Sequence, residues 1–100
     1  MKWDIQAVGF DAKAELLETV KSSVMKLEKF YTPLIGAEVY LRLDNQHTKE
    51  NKKVEIKLNI PGEDLFAEYT SSSFEHSINE CIDKLKRQIE KKKEAERSVR

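Results

Sequence analysis

Apolar residues recur along this chain at two spacings, every second residue and every third or fourth, and the spacing switches three times. Over residues 2–9, Trp3, Ile5 and Ala7 alternate with Asp4 and Gln6, the period of a short strand. Gly9-Phe10-Asp11 breaks that pattern. Asp11 is the expected N-cap of the next element, because its carboxylate can accept from free amides of a first helical turn. Residues 12–30 then place Leu16, Leu17, Val20, Val24 and Leu27 on one helical stripe, with Lys21, Ser22, Lys26 and Lys29 away from it. Phe30, Tyr31 and Leu34 are expected to plug the core at the helix end, and Pro33 and Gly36 lead the chain out.

Period two returns three times. Ala37, Val39, Leu41 and Leu43 alternate with Glu38, Tyr40, Arg42 and Asp44, and Val54, Ile56, Leu58 and Ile60 alternate with Glu55, Lys57 and Asn59. These runs predict strands with one buried and one wet face. Residues 45–52 between them lack apolar side chains and predict an exposed hairpin loop. Pro61-Gly62 and Glu63-Asp64 mark the next turn. Residues 65–70 predict a fourth strand with Leu65, Ala67 and Tyr69 on one side and Phe66, Glu68 and Thr70 on the other; alternation leaves open which side is inward. Ser71-Ser72-Ser73 opens a second helix, with Ser72 at capping-box spacing from Glu75 and Ser73 as the neighbouring alternative cap. Phe74, Ile78, Cys81, Ile82, Leu85 and Ile89 supply its buried stripe. No large aliphatic residue follows until Val99, so this helix is expected to project past the core or fray over residues 94–100.

The order β-α-β-β-β-α favours a right-handed parallel crossover between the first two strands and antiparallel pairing of the rest. Two amphipathic helices need apolar cover, and one face of a four-stranded sheet offers it. The expected fold is an α+β two-layer domain with both helices on one face. One hundred residues make a single domain, residues 1–100, with one modest core.

Charge sharpens the picture. The chain is neutral overall, with 18 basic and 18 acidic residues. Residues 84–100 nevertheless hold eight Lys or Arg against three Glu, an excess of five positive charges that the rest of the chain balances. Lys84, Arg87 and Lys91, at i, i+3 and i+7, share one flank of the Leu85 and Ile89 stripe, while Lys86, Lys93 and Arg97 group on the other. Three cations along about 10 Å of helix can follow successive phosphates, and Arg87 adds a planar fork suited to bidentate contact. The plainer account is that cations at a helix end offset the macrodipole and solvate the outer face. Lys26 and Lys29 of the first helix would border a groove shared with the second, although Glu15, Glu18 and Glu28 dilute that helix.

Other chemistry is thin. Cys81, the one cysteine, excludes an internal disulfide and reads as a small buried hydrophobe. His47 and His76 have no nucleophile or acid at a motif spacing. There is no metal-ligand cluster, no glycine-rich phosphate loop and no cofactor motif. An enzyme and a small-molecule substrate are not expected. No apolar run approaches a membrane span, and the N-terminus has no signal-peptide core, so the chain reads as cytoplasmic. Two rival binding readings remain: a general structured-RNA binder, and a protein adaptor using Tyr40, Arg42, Lys57 and Glu68 on an open sheet face.

The segment Ile82-Asp83-Lys84-Leu85-Lys86-Arg87-Gln88-Ile89, with Lys91 four residues after Arg87, resembles the most specific motif of the short ribosome hibernation promoting factors, also called ribosome-associated inhibitors or sigma-54 modulation proteins. Lys26-Leu27-Glu28 with Phe30-Tyr31 is similar to the end of that family's first helix, and Val54-Glu55-Ile56 and Ala67-Glu68 fall where its third and fourth strands lie. The resemblance covers nearly the whole chain. It implies a fold like that of double-stranded-RNA-binding domains. It also implies binding to the small ribosomal subunit, in the channel used by messenger RNA and tRNA, which blocks translation and preserves idle ribosomes. It carries RNA contact to Lys84, Arg87, Lys91 and Lys26; Lys29, Lys86 and Lys92 complete the expected RNA-binding set. Off the ribosome a monomer is expected, with no cofactor. Departures fall on the first helix, where Leu17 and Ser23 stand at positions that are commonly Arg and Lys in the family. Long members add a C-terminal domain that joins two ribosomes, and joining by that route is not expected here.

Overall fold

The computed structural model describes residues 2–44 and 47–98. Six elements follow in the predicted order: β1 (Lys2–Val8), α1 (Ala14–Phe30), β2 (Gly36–Leu43), β3 (Lys52–Ile60), β4 (Glu63–Ser71) and α2 (Phe74–Ser98). The sheet runs β1-β2-β3-β4, with β1 parallel to β2 and the other pairs antiparallel. Gly36 opens β2 where a Cβ would come within 3.0 Å of the Lys2 carbonyl, so its missing side chain lets β1 lie close. Pro61-Gly62 joins β3 to β4, with Gly62 at φ +87°, the backbone a type II turn requires at its second central position.

Both helices cover one face. Val20, Val24 and Leu27 of α1 and Ile78, Cys81, Leu85 and Ile89 of α2 are fully buried with Val39, Leu41, Val54, Ile56 and Leu58 of the sheet. Leu65 and Ala67 are buried with them and Phe66 is 49% exposed, which settles the inward side of β4. Tyr31 and Leu34 close the core below α1 as expected, and Phe30 is packed against it. Both helices follow strands that point toward the same end of the sheet, so they run parallel, and Phe10 stacks on Phe74 where they begin (centroids 5.2 Å apart, 7° between planes).

Three local expectations are corrected, and the choice between two caps is decided. The N-cap of α1 is Lys13, not Asp11; it makes no side-chain cap bond, and its carbonyl accepts from the amides of Leu16 and Leu17. The cap of α2 is Ser73, whose Oγ accepts from the His76 amide at 3.1 Å. Ser71 is drawn into a buried hydroxyl pair with Ser77 (2.7 Å), and Ser77 donates to the Lys52 carbonyl. The segment between β2 and β3 is not wholly exposed: Asn51 is buried and its carbonyl accepts from the Asp44 amide at 2.8 Å, while Lys52 already belongs to β3. Asn45 and Gln46 of that loop lie outside the described residues. Lastly, β4 starts at Glu63, two residues early, because the two-residue turn lets pairing resume at once. Beyond Ile89, α2 stays helical to Ser98 and extends past the core.

Candidate nucleic-acid interface

The stripe that buries Leu85 and Ile89 leaves two flanks of α2, and the sheet and α1 divide them. One flank lies along β4. There the Lys84 ammonium donates to the Glu68 carbonyl at 3.0 Å and sits 5.1 Å from the Tyr69 ring centre, and Gln88 donates to the Phe66 carbonyl at 2.8 Å. Further along, Lys92 pairs with Glu63 at 2.9 Å and with Glu96 at 3.8 Å. The Glu63 hydrogen bond raises the Lys92 pKa. Glu96 also accepts from the buried Tyr31 hydroxyl at 3.2 Å, so this cluster ties the last turns of α2 to the β3–β4 turn and the end of α1. Burial, then Glu96, pushes the Tyr31 pKa up. Lys91 stands beside Lys92 on the rim of an open cleft lined by Leu65, Gln88 and Ala95.

The other flank faces α1. Lys86 and Lys26 line a groove between the helices together with Ser23, Asn79, Ile82 and Asp83. Lys26 borders the groove shared by the two helices, as expected, and faces Lys86 across it. Lys29 lies one turn away with Met25, and Met25 is 51% exposed. Lys93 reaches back to the end of α1, donating to the Phe30 carbonyl at 2.8 Å with its ammonium 4.2 Å from the ring centre. It offsets the negative end of that helix.

The expected RNA-binding residues therefore fall into two kinds. Lys84 and Lys92 are engaged within the fold. Lys26, Lys29, Lys86, Arg87 and Lys91 have no carboxylate at ion-pair distance among the described residues. The opposite sheet face shows the contrary arrangement: Arg42 pairs with Glu55, Lys53 with Glu68 at 3.7 Å, and Lys57 with Glu38 and Asp64 at 3.5 and 3.6 Å. Arg42, Lys53 and Lys57 are thus spent on neighbouring strands, while Lys26, Lys29, Lys86, Arg87 and Lys91 remain available to a polyanion. Gln88 is a contact that the sequence did not single out, and Lys93 was grouped on a flank without its partner Phe30. Gln88 sits in the quoted motif, but only the position of β4 gives its amide a purpose.

Among the described residues no group of three or more His, Cys, Asp or Glu is placed to hold a metal ion. No described helix is long and apolar enough to cross a membrane.

An α+β domain whose helix pair carries cations without ion-pair partners presents a surface suited to a polyanion. This chain belongs to the sigma-54 modulation protein / S30EA ribosomal protein family, whose model matches residues 3–97. That membership sets it among ribosome-associated, non-enzymatic factors. The chain is similar to a structure described as a ribosomal subunit interface protein from Coxiella burnetii, with a TM-score of 0.81 and 18% identity over 93% of this chain and 98% of that one. It is also similar to the N-terminal domain of Protein Y from Thermus thermophilus, with a TM-score of 0.72 and 19% identity over 90% and 93% of the two chains. At these identities the likeness establishes the fold.

Proposed function

We propose that this protein is a ribosome hibernation factor that binds the small ribosomal subunit through the outer face of its helix pair. The domain occupies the channel of messenger RNA and tRNA near the decoding region and inhibits translation by occupancy alone. The observation that carries this reading is the contrast between the two faces. Arg42, Lys53 and Lys57 on the sheet are neutralised by ion pairs, whereas Lys26, Lys29, Lys86, Arg87 and Lys91 on the helices have none among the described residues. Phosphate positions such a surface without reading base edges, so specificity comes from the shape of folded ribosomal RNA. Association with ribosomes implies a cytoplasmic location. The adaptor reading loses support because Arg42, Lys57 and Glu68 are already paired.

Co-sedimentation tests it. Changing Arg87 and Lys91 together to Glu should abolish pelleting with small subunits while circular dichroism stays native. A pair of variants in the inter-helix groove, Lys26→Glu and Lys86→Glu, should weaken it likewise, and Tyr40→Ala on the sheet face should not. Undiminished pelleting of both helix variants removes the helix pair as the contact surface. Equal affinity for naked RNA hairpins and for ribosomes would replace the proposal with a general RNA binder.

A further inference from the structure

The two edges of the sheet are finished differently. On β4 the outward carbonyls of Phe66 and Glu68 are occupied by Gln88 and Lys84 from α2. Side chains that occupy edge acceptors in this way block strand addition. Among the described residues the β1 edge has no such cover. The Lys2 amide donates inward to Ile35 at 3.2 Å, and the parallel register places Lys2, Asp4, Gln6 and Val8 with their backbone groups toward β2. Backbone direction alternates along a strand, so the amides and carbonyls of Trp3, Ile5 and Ala7 point away from the sheet. Their side chains share the core side, yet all three remain partly exposed, whereas Val39, Leu41, Val54 and Ile56 at inward positions of β2 and β3 are fully buried. Beside them Trp3, Ile5, Leu17 and Lys21 line a shallow groove of about 380 Å³ between β1 and α1.

We infer that β1 is a pairing edge for a second copy of this chain, added antiparallel about a two-fold axis at Ile5. The strand's own sequence selects that occupant and register. Centred on Ile5, all seven residues of β1 overlap: Trp3 faces Ala7, Asp4 faces Gln6 and Lys2 faces Val8. A large side chain then meets a small one, and no like charges meet. Centring on Asp4 would set two aspartates directly opposite, which destabilises a ladder. Centring on Gln6 would leave Lys2 and Trp3 unpaired. The Ile5 register joins two four-stranded sheets into one of eight strands and extends the core layer across the axis, as an isologous contact requires. Lys26 and Lys86 lie on the other flank of α1 from Lys21, so pairing leaves the inter-helix groove open. One short strand buries less than a standard interface, so the dimer is weak and forms at high concentration. The expected monomer is then the dilute form.

Sedimentation equilibrium of the full chain from about 10 µM to 1 mM should show a monomer–dimer equilibrium, since a contact this small is weak. Ile5→Pro removes an amide hydrogen that no bond among the described residues uses, and should leave a folded monomer. Because that variant strains the strand, two surface variants fix the register independently. Gln6→Lys places a cation opposite Asp4 twice per dimer and should tighten association roughly tenfold, while Gln6→Asp should weaken it by a similar factor. Amide exchange at Trp3, Ile5 and Ala7 should slow as concentration rises, with Asp4 and Gln6 protected throughout. A wild type that stays monomeric at the highest concentration overturns the inference, and so does a dimer indifferent to both Gln6 variants.

Discussion

At the scale of single residues, Cys81 shows how burial fixes chemistry. Its thiol is fully buried on α2 and donates to the Val54 carbonyl at 3.4 Å. Burial pushes its pKa from 9.0 up to about 12. A thiolate is the nucleophilic form, so this cysteine is inert in the folded protein. The consequence for stability has a definite sign. Between the unfolded and folded pKa values the unfolded chain has lost a proton that the folded chain keeps, so stability falls as pH rises. The contribution is whole below about pH 9 and disappears toward pH 12, on the order of a few kcal/mol in total. Thermal melts across this range should show the wild type losing stability more steeply than Cys81→Ala, with native-state thiol labelling negligible at pH 8. Parallel melting curves for the two proteins would contradict it. The placement of Cys81 was legible from apolar spacing, because burial on a helix repeats every three or four residues. Asn51 was not legible: no periodicity in a polar loop reports that one side chain folds inward.

At the scale of elements, helix interiors were readable and helix ends were not. The stripes of α1 and α2 are the predicted ones, because each is summed over several turns. Caps depend on the path of two or three residues. Ser72 fitted the capping-box spacing to Glu75, yet Ser73 holds the His76 amide. Ser71, next to them, is committed to Ser77 in the core. Ser73→Ala should therefore cost about 1 kcal/mol, a fall in melting temperature of roughly 4–8 °C for a domain of this size. Ser72→Ala, on an exposed neighbour, should change the melting temperature little; the reverse ranking would show that the capping box forms in solution. The long side chains of α2 illustrate the same limit. Spacing put Lys84 on a common flank with Arg87 and Lys91, and Lys92 in the same expected RNA-binding set. Only the tertiary neighbours β4 and Glu63 determine that Lys84 and Lys92 turn inward to local acceptors.

At the scale of the whole molecule, net neutrality hides a division of labour between faces. Eighteen charges of each sign cancel in sum, but the acids that neutralise Arg42, Lys53 and Lys57 stand on the sheet beside them. Lys26, Lys29, Lys86, Arg87 and Lys91 of the helix pair have no such partners among the described residues, so a polyanion approaching the helices meets a field that the net charge does not reveal. That field has a measurable size. Lys26, Lys29, Lys86, Arg87 and Lys91 are five cations free to neutralise phosphates, and each phosphate contact releases counterions. The logarithm of the ribosome association constant should fall against the logarithm of salt with a slope of about −4, a loss of a few hundredfold between roughly 50 and 200 mM. Each single change to Ala among the five should flatten that slope by about one unit. Lys57→Ala on the sheet should leave it unchanged, since that charge is already balanced by Glu38 and Asp64. A salt-independent association would mean that apolar or sheet contacts hold the protein on the ribosome. A slope altered by Lys57 but not by Arg87 would place the RNA on the opposite face.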